Sequence, residues 1–216
     1  MDLFFALATL ALVQLMAVIS PGQSFVVVSR FALSSGRNAG IAAAFGMAAG
    51  TAIWATAAIL GVALVLEQAA WAYGALKLAG AGYLIWLAYK MWKHAPEAPQ
   101  LPENGSKPVS LRRAFATGAL TQLANPKVVI FFGSIFFALL PANPGLWTSV
   151  IAVAIVSGNE AWWYTFISLL FSAQKSRGAY LRAKSAVDRV MSSALGLIGA
   201  GLAWSVLKPM LDQNNS

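Results

Sequence analysis

The sequence has no cysteine, a single histidine and few charged residues. Without cysteine there can be no disulfide staple, thiolate metal site or thiol redox chemistry. A transmembrane electron carrier working through paired cysteines is thereby excluded. The one histidine, His94, lies in a charged connector, so no histidine metal site is expected. No catalytic nucleophile constellation, metal cluster or cofactor motif stands out, and neither an enzyme nor a bound cofactor is expected. Charged residues make up 10% of the chain, against roughly 25% in soluble domains. Hydrophobic residues make up 59%, and the mean hydropathy is +0.68. The chain therefore belongs to the membrane class. The start, "MDLFFALATLALVQLM", has no Lys or Arg before its apolar run and no clear small-residue cleavage site. It reads as a retained first helix rather than a secretory signal.

Crossing the hydrocarbon core takes about 20 apolar residues in a helix. Six segments qualify: 3–28, 39–66, 71–91, 112–140, 146–172 and 190–207. Between the third and fourth lies "HAPEAPQLPENGSKPVS", whose prolines and polar residues mark a flexible linker. This divides the chain into a three-helix unit at 1–93, a cytoplasmic linker at 94–111, a second three-helix unit at 112–209 and a polar tail at 210–216. The connectors after spans one, three and five carry 12 of the 15 basic residues, and the opposite side has Lys208 alone. Basic loops face the cytoplasm, so both termini should face outside. The net charge of +8 is then a topology signal, spread over short loops, and not a nucleic-acid surface. With three spans in each half, a shared fold requires the second half to be inverted. The expected fold is an all-α integral membrane protein of two inverted three-helix repeats.

The first span of each half is interrupted. Span one reads "VQLMAVISPGQSF" and span four "LTQLANPKVVIFF", each with a glutamine (Gln14, Gln122) ahead of a proline (Pro21, Pro126). Proline inside a helix removes a hydrogen bond and clashes with the preceding turn. In lipid such a break persists only where protein or a wet cavity surrounds it. Matched interruptions in two halves point to a transporter's binding site, with Pro21, Gly22 and Pro126 as the break or hinge residues. Broken ends present backbone N–H and C=O groups that suit a small zwitterion. Ser24, Gln23, Gln122 and Asn125 would add polar contacts.

Three ionisable residues fall inside spans. Lys77 is near enough to an outer end to snorkel. Lys127 could bind a substrate carboxylate, pair with Glu160 or cap exposed carbonyls. Glu160 lies ~21 Å along its helix from the outer end, near the bilayer middle. An acid there can exchange a proton for a substrate ammonium, or it can be one half of a structural ion pair with Lys127. The neighbouring Trp162, Trp163 and Tyr164 suit packing and could wall a cavity. Glycines at 46 and 50, and small residues at 196, 199, 200 and 203, permit close helix contact within the bundle or in a homodimer.

Taken together, these residues resemble the lysine/homoserine exporter (LysE/RhtB) family over nearly the whole chain. The resemblance rests on "SPG" at 20–22, the glycine-patterned span two, "KLAGAGYLIWLAYKMW" at 77–92, "NPK" at 125–127 and the acid at Glu160. It implies six helices and export of amino acids or close derivatives, driven by the proton gradient, in the bacterial inner membrane. Two departures are Gln23, where the family usually has proline or a small residue, and Ala88, where it usually has glycine. A mostly uncharged lining favours a neutral amino acid. A passive channel or a scaffold without transport activity is the alternative reading.

Overall fold

A computed structural model describes residues 3–68, 70–97, 109–141, 144–172 and 174–214. Among the described residues there are eight helices and no strand: α1 (Leu3–Ile19), α2 (Gln23–Ser35), α3 (Arg37–Gln68), α4 (Ala70–His94), α5 (Leu111–Leu123), α6 (Pro126–Leu139), α7 (Leu146–Ser172) and α8 (Gln174–Asn214). Three stretches are long and apolar enough to cross a membrane unaided: Arg37–Gly61, Leu146–Ser172 and Gly178–Lys208. Two further pairs, α1–α2 and α5–α6, pass the same test together but bend by 61° and 58° at their breaks. The bends fall at the prolines because each one ends the hydrogen-bond ladder there.

Three boundaries differ from the sequence reading. The helix after the first break runs on to Ser35 instead of stopping near 28. The last helix runs to Asn214, into the expected tail at 210–216, and it starts at Gln174 rather than near 190, because the segment before the apolar stretch is rich in Ala, Lys and Arg. These are strong helix formers whatever their polarity. Hydropathy marks where a helix meets lipid, not where it begins. The linker expected at 94–111 begins with a turn to Glu97 and ends at Ser110, the N-cap of α5, while 98–108 lie outside the described residues. The side chain of Lys77 also lies outside them.

α3 packs on α5 and α7, α4 packs on α6 and α8, and α1 lies against α7. Small residues set the closest approaches. A methyl group at Gly46 would strike the Phe115 carbonyl, and one at Gly118 would strike the Ala43 carbonyl, so α3 and α5 touch backbone to backbone. Gly199 likewise faces Leu84 and Ile85, which places this glycine face inside the bundle, against α4. Two apolar clusters result. One gathers Leu10, Val13, Phe132, Ile135, Phe136, Val156 and Leu195, and the other gathers Phe25, Val28, Met47, Ile167 and Phe171. Large apolar side chains such as Phe4, Leu120, Trp147 and Leu197 stay outward, as a lipid-facing surface requires.

Candidate functional site

An α-helical carbonyl at position i accepts from the N–H at i+4. Pro21 has no N–H, so it leaves the carbonyl of Ala17 without its partner. That carbonyl accepts from Lys127 Nζ at 3.0 Å. At the second break Pro126 fails Gln122 O, which accepts from Asn125 N at 3.2 Å instead. Lys127 N turns aside to Asn125 Oδ1 at 3.1 Å, so Asn125 is the N-cap of α6. The freed Leu123 O accepts from Trp54 Nε1 at 3.1 Å. Each carbonyl opened by a proline has thus found a replacement donor, as burial demands.

The N-termini created by the two breaks differ. That of α6 is capped by Asn125, whereas α2 begins after Gly22, which has no side chain to offer its first N–H groups. Those N–H groups have no helical partner by geometry.

Between the breaks stands Glu160 on α7, 3% exposed. Gln14 Nε2 of α1 donates to its Oε2 at 3.0 Å, and Gln122 Nε2 of α5 donates to its Oε1 at 2.7 Å. One amide from each broken helix therefore holds one oxygen of the same carboxylate. Gln122 Nε2 also donates to Thr51 Oγ1 at 2.8 Å, and Gln122 Oε1 accepts from Ser24 at 2.8 Å. Asn125 Nδ2 donates to Ser24 Oγ at 3.3 Å, which closes a polar chain across both breaks. Lys127 and Glu160 form no ion pair among the described residues. In this conformation the lysine serves the Ala17 carbonyl.

A cavity of about 40 Å³ sits against this chain. Glu160, Lys127, Asn125, Gln122, Gln23, Ser24 and Gly22 all line it, together with Gln14 and Tyr164. Pro21 and Pro126 border instead a larger vestibule of about 480 Å³. The vestibule is walled by Tyr83, Trp86, Lys90, Lys184 and Asp188, and it lies toward the end of the bundle that carries the basic connectors. Ser20, Gly22, Gln23, Asn125 and Lys127 belong to both spaces, so they form the neck between them. On the other side Phe131 and Phe132 line the small cavity while Ile135 and Phe136, one turn further along α6, are fully buried. Apolar packing closes that route. Trp162 is exposed, whereas Trp163 and Tyr164 are buried.

Three participants escaped the sequence reading. Gln14 was visible as the partner of a matched break but not as a ligand of the carboxylate. Thr51 and Trp54 sit in apolar context with no local signal of their own, whereas Tyr164 walls the cavity as its position beside Glu160 suggests. Only the crossing of α3 with the broken helices brings Thr51 and Trp54 in.

The family match for a LysE type translocator covers residues 15–206, which includes both breaks and Glu160. The chain belongs to the LysE family. Among its relatives, the threonine efflux protein of Escherichia coli K12 is 33% identical over 83% of this chain and 88% of its own length. The threonine efflux protein of Salmonella typhimurium is 33% identical over 87% of this chain and 91% of its own. An uncharacterized membrane protein of Escherichia coli, YahN, is 30% identical over 86% and 83%. No solved structure matches. Set on the LysE family, the site is a polar chain between two broken helices of a translocator.

Proposed function

We propose that this LysE-family protein is a secondary-active exporter of a neutral amino acid or close derivative, driven by proton antiport across the bacterial inner membrane. The observation that carries the reading is the buried carboxylate of Glu160, held by one amide from each broken helix in a small cavity that a neck joins to a larger vestibule. The relatives named for threonine efflux support an amino acid as the cargo. In this reading six spans form two inverted three-helix repeats. The matched breaks and the pairing of α3 with α7 and of α4 with α8 support that arrangement. Both termini face outward and the vestibule opens to the cytoplasm, because its rim carries the basic residues.

The substrate arrives through the vestibule. Its carboxylate meets the uncapped N-terminus of α2 and the Lys127 ammonium, and its ammonium meets Glu160. Gln23, Ser24 and Asn125 line its path. An ammonium and a proton compete for one carboxylate, so Glu160 carries substrate outward and a proton inward but not both at once. Rocking of the repeats about Pro21, Gly22 and Pro126 would exchange the open side. Coupling also requires Glu160 to be free of a permanent cation, and Lys127 is engaged elsewhere.

The test is amino-acid efflux from cells loaded through dipeptides, comparing intact protein with Glu160→Gln, with and without the proton gradient. Gradient-dependent efflux that the substitution abolishes, at normal membrane insertion, is expected. Efflux that ignores the gradient would indicate a passive channel. No efflux of any amino acid from the intact protein would indicate a scaffold.

A further inference from the structure

The two glutamines that hold Glu160 are not equivalent. Gln122 is saturated, with Nε2 donating to Glu160 and Thr51 and Oε1 accepting from Ser24. Gln14 spends its amide N–H on Glu160 Oε2, which also fixes the orientation of the group. Turned over against the ionised Glu160 that binds an ammonium, it would set a carbonyl oxygen against a carboxylate. Gln14 Oε1 is then a buried acceptor with no partner among the described residues, on a side chain only 1% exposed. Native structures seldom leave such an atom unpaired, since it keeps its whole desolvation cost.

Gln14 and Glu160 line the same small cavity, which has room for a group the size of a water but not for an amino acid. The neck joins it to a vestibule that is large enough for the rest of one. An ammonium has three N–H donors and no acceptor, so it needs acceptors alone. The carboxylate and the unpaired carbonyl supply these side by side.

We propose that Gln14 Oε1 is the second acceptor for the substrate's α-ammonium, next to Glu160 Oε2. This rests on the exporter reading and adds to it a residue that selects for the amine. The first broken helix then holds the ammonium through Gln14, while the second break stays internally paired through Gln122 and Asn125. The substrate leans on one repeat more than on the other.

The test uses purified protein in liposomes and counterflow of labelled threonine, with other neutral amino acids run in parallel. The competitor is 2,3-dihydroxybutanoate, which is threonine with its ammonium replaced by a hydroxyl. Intact protein should prefer the amine strongly. Gln14→Met, similar in length but without the carbonyl, should raise the half-saturating threonine concentration by about tenfold. The preference for amine over hydroxyl should shrink by a similar factor. A merely structural role would move both compounds together and leave that ratio unchanged, which overturns the proposal. Should Gln14→Met fail to elute as a single species, Gln14→Asn decides: it keeps the amide but withdraws it by one methylene. An unchanged ratio there also overturns the proposal. Intact protein with no amino-acid counterflow would sink the exporter reading itself, so the two failures are distinct.

Discussion

Lys127 Nζ stands 3.0 Å from Ala17 O, the carbonyl that Pro21 leaves without a helical N–H. A side chain from the second break thus repairs the first. Replacing Lys127 by Met removes the repair and leaves a buried carbonyl open, at a cost of about 1–3 kcal/mol. A lower thermal midpoint in detergent is expected. Adding Pro21→Ala restores an N–H at position 21 and should recover much of that stability while leaving transport impaired, because the break itself is lost. If Pro21→Ala gives no rescue, the repair is not what Lys127 contributes.

Gly50 lies against Gln122 by close packing. A methyl at Gly50 would crowd Gln122 Cβ and Cγ, pushing its amide away from Glu160 and Thr51. Gly50→Ala should reduce efflux by about tenfold, since that loss corresponds to roughly 1.4 kcal/mol, close to the lower end of the net worth of one hydrogen bond to a charged group. Membrane insertion should hold. Gly158→Ala, with open space around it, is the control and should transport normally. Equal activity in the two variants would mean that Gln122 adjusts without consequence.

Contact at Gly118 is stricter, because every obstacle belongs to the Ala43 backbone and the approach is closer than at Gly50. Gly118→Ala must separate α3 from α5. Overpacking of this kind costs about 1–3 kcal/mol. The expected result is a reduced yield of folded protein, read by size-exclusion profile and thermal midpoint. A variant as stable as the intact protein would show that the two helices can part freely.

How much of this was legible in the sequence depended on whether a signal was local. Pro21 and Pro126 announce their breaks because proline acts on its own backbone. Glu160 announces itself because an acid in an apolar run is costly wherever it points. The 61° and 58° bends are different, since a proline ends a ladder without fixing the direction in which the chain resumes. Lys127 left three partners open in sequence, and its choice of Ala17 depends on where α1 ends in space. Trp54 and Thr51 carry no local signal and enter the site only when α3 is laid across α5.

Lys184 was counted in sequence only as a topology charge, yet it is 6% exposed. Its Nζ donates to the carbonyls of His94, Ala95 and Glu97 at 3.2, 3.3 and 2.7 Å, closing the C-terminal end of α4. It also lies 3.0 Å from Asp188 Oδ2 on the vestibule wall. Lys184→Met removes a helix-end cation and leaves a buried carboxylate unpaired, a combination that costs about 3–5 kcal/mol. Asp188→Asn should cost less, because Lys184 keeps its three carbonyls. The double variant Lys184→Met with Asp188→Asn should recover the part due to the lone carboxylate but not the part due to the open end of α4. Thermal unfolding of the four proteins forms the cycle that separates these terms. Full recovery in the double variant would mean that capping α4 contributes nothing, and none at all would mean that the carboxylate contributes nothing.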